Sequence, residues 1–165
     1  EEFIRSIKNG SRKELVKAVE LSDKLLRATI NKDESTVAEI IGEAHQANTS
    51  PKFYNNEQAL RSVVIMAYLS SVDDYIRFEE LASGKGYIDL LFLPALQSSK
   101  PALIIELKWN KSAEKAVQQE QDQQYWKFAK QFRYKGKILL VGINYNSKTK
   151  KHTCKIKEIE SLEKN

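Results

Sequence analysis

The feature that most constrains this chain is the run Ala102-Leu103-Ile104-Ile105, followed at once by Glu106-Leu107-Lys108. An apolar run of this kind, with its adjoining isoleucines, reads as a strand buried on both faces. Side chains alternate along a strand, so Glu106 and Lys108 share one face, and Ile105 and Leu107 share the other. A carboxylate and an ammonium therefore stand side by side at the end of an otherwise apolar strand. Buried charges are costly unless they are paired or bind a metal. Asp89 poses the same problem, because it interrupts the apolar strand Ile88–Leu93. If the two strands pair through the Pro94–Lys100 connection, Asp89 and Glu106 meet. Two carboxylates converging on one point repel each other unless a cation lies between them. A hard divalent ion such as Mg²⁺ suits such a site, since it takes oxygen ligands and keeps several waters.

The rest of the chain supplies a setting for these strands. Ser11 caps a helix and Glu14 completes a capping box. Leu15, Val19, Leu21, Leu25 and Leu26 give that helix an apolar stripe. Asp33 and Ser35 start a second helix carrying Val37, Ile40, Ile41 and Ala44. The segment Ala47–Lys52, with Pro51, breaks the pattern. A third helix from about Asn55 presents Leu60, Val63, Val64, Ala67 and Tyr68. The period then changes to that of strands at Tyr75–Ala82 and Tyr87–Leu93, joined by the turn Ser83-Gly84-Lys85-Gly86. Ser112 caps a long helix to about Phe132. Ile138–Ile143 is another buried strand, and His152–Ile159 is an edge strand with Cys154 and Ile156 facing inward. Helices first, then strands mixed with a helix, predict an α/β fold with a mixed sheet.

The chain has 165 residues and a net charge of +5, from 27 Lys+Arg against 22 Asp+Glu. The length suits one domain, or one with a helical extension. The positive balance mildly favours an anionic partner such as nucleic acid. The single cysteine, Cys154, has no partner for an internal disulfide, and no Cys/His cluster has zinc spacing. A reducing cytoplasm is the expected location. No apolar stretch is long enough to span a bilayer, and no signal-peptide pattern opens the chain. The first residue, Glu1, suggests a piece of something longer. No Gly-rich phosphate loop of the Walker type is present.

Asp89, a loop, then Glu106-x-Lys108 resembles the PD-(D/E)XK nuclease superfamily. The nearer likeness is to the branch found as the C-terminal domain of AAA-ATPase-like bacterial proteins. Gly84-Lys85-Gly86 before the acidic strand, Pro101–Lys108, Ala116-Val117-Gln118-Gln119 with Tyr125, and Lys137–Ile143 all look like that branch. The likeness covers about Asn55 to Ile159. It implies a restriction-endonuclease-like core, a central mixed sheet of four to five strands flanked by helices, with an N-terminal helical extension. Residues 1–50 would then be the extension or linker from an upstream ATPase-like domain, and residues 51–165 the nuclease-like domain.

The resemblance also implies chemistry. Asp89 and Glu106 would bind Mg²⁺ or Mn²⁺ together with the backbone carbonyl of Leu107, and Lys108 would be catalytic. Glu57, on the first core helix, would support the metal shell. Such an ion polarises a phosphoryl oxygen and lowers the pKa of a bound water. Lys108 would orient that water and offset charge in the transition state. Lys85, Gln119 and Tyr125 would contact nucleic acid, expected to be DNA, or support the site. Tyr87 departs from the branch, standing where a second basic residue is usual.

Each residue also has a plainer reading. Charged pairs on strands are commonly cross-strand salt bridges. Glu57 suits the first turn of a helix through the dipole alone. Glu80 reads as an edge charge, and Lys148, Lys150 and Lys151 as a solvated loop. His45 and His152 show no evident partners, and Trp109 and Trp126 read as packing residues. The alternative function is a catalytically silent module that keeps the nuclease scaffold and binds nucleic acid or a partner protein. A purely structural domain, its acids paired with lysines, is the third reading.

Overall fold

A computed structural model of the protein describes residues 12–48 and 56–160. Among the described residues three helices come first: α1 (Arg12–Ile30), α2 (Glu34–Asn48) and α3 (Glu57–Ala67). A 3₁₀ turn, Leu69–Asp73, leads into the strands β1 (Tyr75–Ser83), β2 (Gly86–Pro94) and β3 (Ala102–Trp109). Helix α4 (Ala113–Asp122), a 3₁₀ turn (Tyr125–Lys127) and the short α5 (Phe128–Gln131) follow, and β4 (Lys137–Asn146) and β5 (Lys151–Glu160) close the chain.

Local chemistry fixes several of these boundaries. Asp33 caps α2, accepting from the Thr36 amide at 3.1 Å and from the Ser35 and Thr36 hydroxyls. Asn56 caps α3 by accepting from the Ala59 amide at 2.8 Å. Ser112 caps α4 through the Lys115 amide. The expected cap at Ser11 lies outside the described residues. Of the expected break at Ala47–Lys52, Ala47 and Asn48 are still helical, and the rest lies outside the described residues.

The strands form one five-stranded sheet in the order β1-β2-β3-β4-β5. Neighbours are antiparallel except β3 and β4, which are parallel and joined by the α4 crossover. The sheet is therefore mixed, as the order of elements predicts. Alternation divides its side chains between two cores. Leu103, Ile105 and Leu107 of β3, with Val141, Ile143 and Tyr145 of β4, pack under α1, α2 and α3. Ala102 and Ile104, with Ile138 and Leu140, pack under α4 and α5 against Val117, Tyr125 and Phe128. By the same alternation, Glu106 and Lys108 belong to the α4 face.

Two expectations are corrected. The helix from Ser112 is not continuous to Phe132: α4 ends at Asp122 and Gln124 adopts a left-handed φ of 59°. The carbonyl of Gln123 is taken by the Lys85 amide at 2.8 Å, so a tertiary contact outweighs helix propensity there. The apolar stripe of α1 is buried only in its second half. Leu25 and Leu26 are in the core, whereas Leu15 and Val19 are 50% and 41% exposed. No helix among the described residues is long and apolar enough to cross a membrane.

Candidate active site

The site lies where β2 and β3 part. Their ladder holds only Leu90–Phe92 against Leu103–Ile105. Past its end, the amide of Leu107 donates to the side chain of Asp89 (Oδ2, 2.9 Å). The Asp89 carboxylate therefore sits against the main chain between Glu106 and Lys108. Its other oxygen, Oδ1, accepts from Arg61 Nη2 at 2.8 Å, and Arg61 Nη1 reaches Glu80 at 2.5 Å. Arg61 lies one helical turn beyond Glu57 on α3, on the same face.

Glu106 and Lys108 are almost fully buried, 3% and 8% exposed. Glu106 Oε1 accepts from Lys108 Nζ at 2.7 Å and from Gln119 Nε2 at 2.6 Å. Gln119 also donates to the Tyr125 hydroxyl at 3.2 Å. The second oxygen, Glu106 Oε2, is buried with no hydrogen-bond partner. Burial, then the nearby charge of Asp89, raises the Glu106 pKa to about 7 against the pull of Lys108. Glu57 adds a smaller push in the same direction. The charges of Glu57, Asp89 and Glu106 are thus felt at one place.

A glycine lets α4 come this close. Gly142 of β4 pairs with Glu106 of β3. A Cβ on Gly142 would lie 2.3 Å from the Ala113 carbonyl at the start of α4. Without that approach Gln119 would not reach Glu106.

Glu120, next to Gln119, is fully buried on the core side of α4. Neither of its oxygens has a hydrogen-bond partner of good geometry. Burial, then the charge of Glu106, pushes its pKa well above the carboxylate range, with the Val141 amide offsetting only part.

The donor set fits a hard divalent ion. Glu106 offers a buried oxygen with no competing partner, Asp89 offers a carboxylate on the adjoining strand, and Mg²⁺ needs only one or two carboxylates beside water and phosphate. Among the described residues no group of three His, Cys, Asp or Glu side chains is placed to hold a metal. Two protein cations also stand at the acids, Arg61 on Asp89 and Lys108 on Glu106. The purely structural reading expects Lys108 bridging Glu106 at a distance from Asp89. The bridge is present, but Asp89 is beside it.

The other expected residues fall in four places. Lys85 is exposed in the β1–β2 turn. Glu80 is not a free edge charge, because it holds Arg61. His45 and His152 are partners, sharing a hydrogen bond at 2.6 Å on the opposite face of the sheet. Trp109 packs against Tyr145, and Trp126 against the second core.

Sequence reasoning missed Arg61 and Glu120. Both carry a helical signal. Arg61 follows Glu57 by four residues, and Glu120 completes the stripe Ala113, Ala116, Val117, Glu120.

The family model described as the PD-(D/E)XK nuclease superfamily matches residues 55–155, well over half of the chain. No curated protein matches the chain.

Proposed function

The chain belongs to the PD-(D/E)XK nuclease superfamily, and from that premise we propose that it is a Mg²⁺- or Mn²⁺-dependent nuclease acting on DNA. The superfamily points to hydrolysis of phosphodiester bonds. One observation carries the reading further. A buried carboxylate, Glu106, keeps an unpartnered oxygen beside Asp89 where two strands part, with Lys108 on the same face.

In this reading Asp89, Glu106 and the Leu107 carbonyl hold the cation, and Glu57 supports them from α3. When bound, the cation supplies Lewis acidity toward a phosphoryl oxygen and toward water. Lys108 steadies the attacking water and offsets charge that builds on the phosphate. Gln119 orients Glu106 by its 2.6 Å hydrogen bond and is itself steadied by Tyr125. Arg61 compensates Asp89 until the cation arrives. Residues 51–165 form the nuclease module and residues 1–50 its helical extension. By resemblance, that extension leads from an ATPase-like domain.

The test is cleavage of plasmid and oligonucleotide substrates with Mg²⁺, with Mn²⁺ and with EDTA. Metal-dependent cleavage that vanishes in Asp89→Ala and in Lys108→Ala supports the assignment. Wild-type rates in both variants would overturn it.

A second reading has its own support. Arg61 and Lys108 already neutralise both acids, which suits a silent scaffold that binds nucleic acid or a protein partner. Calorimetric titration with Mn²⁺ separates the two. No ion bound by folded wild type would favour the silent module.

A further inference from the structure

Tyr87 is the anomaly of β2. It is 67% exposed, while Ile88, Leu90, Leu91 and Phe92 of the same strand are fully buried. A single exposed aromatic is ordinary by itself. Its surroundings are not. Tyr87 lines a cavity of about 380 Å³ together with Lys85, Lys127 and Gln131. Both lysines are exposed. Neither is in an ion pair among the described residues, whereas Lys32, Lys100, Lys108, Lys137 and Lys155 all are. Two uncommitted cations thus flank an aromatic ring that faces solvent.

The turn that carries Lys85 and Tyr87 is held in place. The Lys85 amide donates to the Gln123 carbonyl at 2.8 Å, and the Ser83 hydroxyl to the Tyr125 carbonyl at 2.8 Å. Gly84 adopts a φ of 59° where a Cβ would strike the Gln123 carbonyl, so the contact requires glycine. Gly86 lies against the Tyr125 hydroxyl, which Gln119 links to Glu106. The cavity and the acids therefore share one rigid support.

The spacing is informative. Tyr87 stands two residues before Asp89, about 7 Å along the strand. Stacked nucleotides rise about 3.4 Å per step. A base lying on Tyr87 would place a phosphate near Asp89 one to two nucleotides away. An aromatic face meets a base face only when that base is unpaired, because a duplex presents its edges.

We propose that Tyr87, flanked by Lys85 and Lys127, is a stacking platform for an unpaired base, and that the substrate of the neighbouring site is a single strand or an opened end. The lysines take the phosphates on either side of the stacked base. The proposal rests on the nuclease reading and narrows its substrate class.

The test is binding, measured in EDTA so that cleavage does not enter. Fluorescence anisotropy would follow a labelled single-stranded DNA, the same sequence as duplex, and the same sequence as single-stranded RNA. Wild type is expected to favour the single strands. Tyr87→Ala should weaken single-strand binding about 5- to 150-fold, the range of one lost base–aromatic stack. Tyr87→Phe, which keeps the ring, should bind as wild type does. Lys85→Ala and Lys127→Ala should each lower the slope of log K against log salt by about 0.7, and Tyr87→Ala should leave it unchanged. Equal affinity of Tyr87→Ala and wild type for single strands overturns the proposal, as does a preference for duplex. Asp89→Asn serves as the control. If it binds normally but does not cleave, the nuclease reading stands whatever Tyr87 does. If it cleaves normally, that reading fails while the platform is judged by binding alone.

Discussion

Two sets of titratable side chains are buried on opposite faces of one sheet, and the protein treats them differently. On the α2 face, His45 is fully buried and shares a 2.6 Å hydrogen bond with His152. The pair is enclosed by rings, with Tyr145 at 4.9 Å and Trp109 at 6.4 Å from His45. Burial lowers both pKa values to about 4, so both imidazoles are neutral near neutral pH. On the α4 face, Glu106 and Glu120 leave three carboxylate oxygens buried without partners. The first cluster is a neutral pair that ties α2 to β5. The second gathers carboxylates whose like charges oppose one another at a cost in stability, which is how a binding or catalytic site is generally recognised. Burial of polar groups does not by itself mark a site. Convergent charge of one sign does.

The largest expected effect tests that distinction through activity. Lys108→Ala should lower cleavage about 10²- to 10⁴-fold, the range for a group handling a proton in the transition state. Folded His45→Ala should cleave like wild type. Rates measured on one substrate in Mn²⁺ decide it. A variant of the histidine pair as inactive as Lys108→Ala would break the comparison.

Stability should run the other way. His45→Ala empties a packed position and strands His152, for a loss of about 2–4 kcal/mol. Glu120→Leu replaces a buried acid that lacks a well-placed hydrogen-bond partner with an apolar side chain, for a gain of about 1–3 kcal/mol. Urea unfolding midpoints check both signs. Gly142→Ala connects stability to the site. Its Cβ meets the backbone of α4, so about 1–3 kcal/mol should be lost as the helix shifts, and cleavage should fall with the Gln119–Glu106 contact.

How much of this was legible follows from the range of the interactions. The strand at Ala102–Trp109 and the shared face of Glu106 and Lys108 are readable because period-two alternation is local. The turn at Ser83–Gly86 is readable from its glycines. The break in the helix after Asp122 is not, because it depends on the Lys85 amide, far away in the chain. The histidine pair escapes for the same reason, since 107 positions separate its members. Arg61 and Glu120 are intermediate. Their helical faces are readable, but the acid that Arg61 meets and the core that Glu120 enters are set by how the helices pack on the sheet. The one-turn offset from Glu57 to Arg61 shows only that both look the same way.

The two faces should also differ, by a smaller margin, in how stability varies with pH. Each histidine has a folded pKa depressed to about 4 from 6.5. For a base, that contributes stability fully present above pH 6.5 and lost as pH falls from 6.5 toward 4. Glu106 has a folded pKa raised to about 7 from 4.5. Its contribution is fully present below pH 4.5 and is lost as pH rises through 7. Glu120, also raised by burial, acts in the same direction as Glu106. Between about pH 4.5 and 6.5 the two acids and the two histidines therefore oppose each other, and wild-type stability in EDTA should vary little from these groups. Glu106→Gln removes part of the acidic side of the balance. Its stability relative to wild type should climb steadily as pH rises from 4.5 to 7. Replacing both histidines, as in His45→Phe with His152→Phe, removes the other side, and stability should then decline across the same range. Urea midpoints in EDTA at half-unit steps of pH are enough to see either slope. Parallel curves for wild type and Glu106→Gln would mean that the carboxylate is not held in the desolvated, like-charged setting from which its openness to a cation is argued.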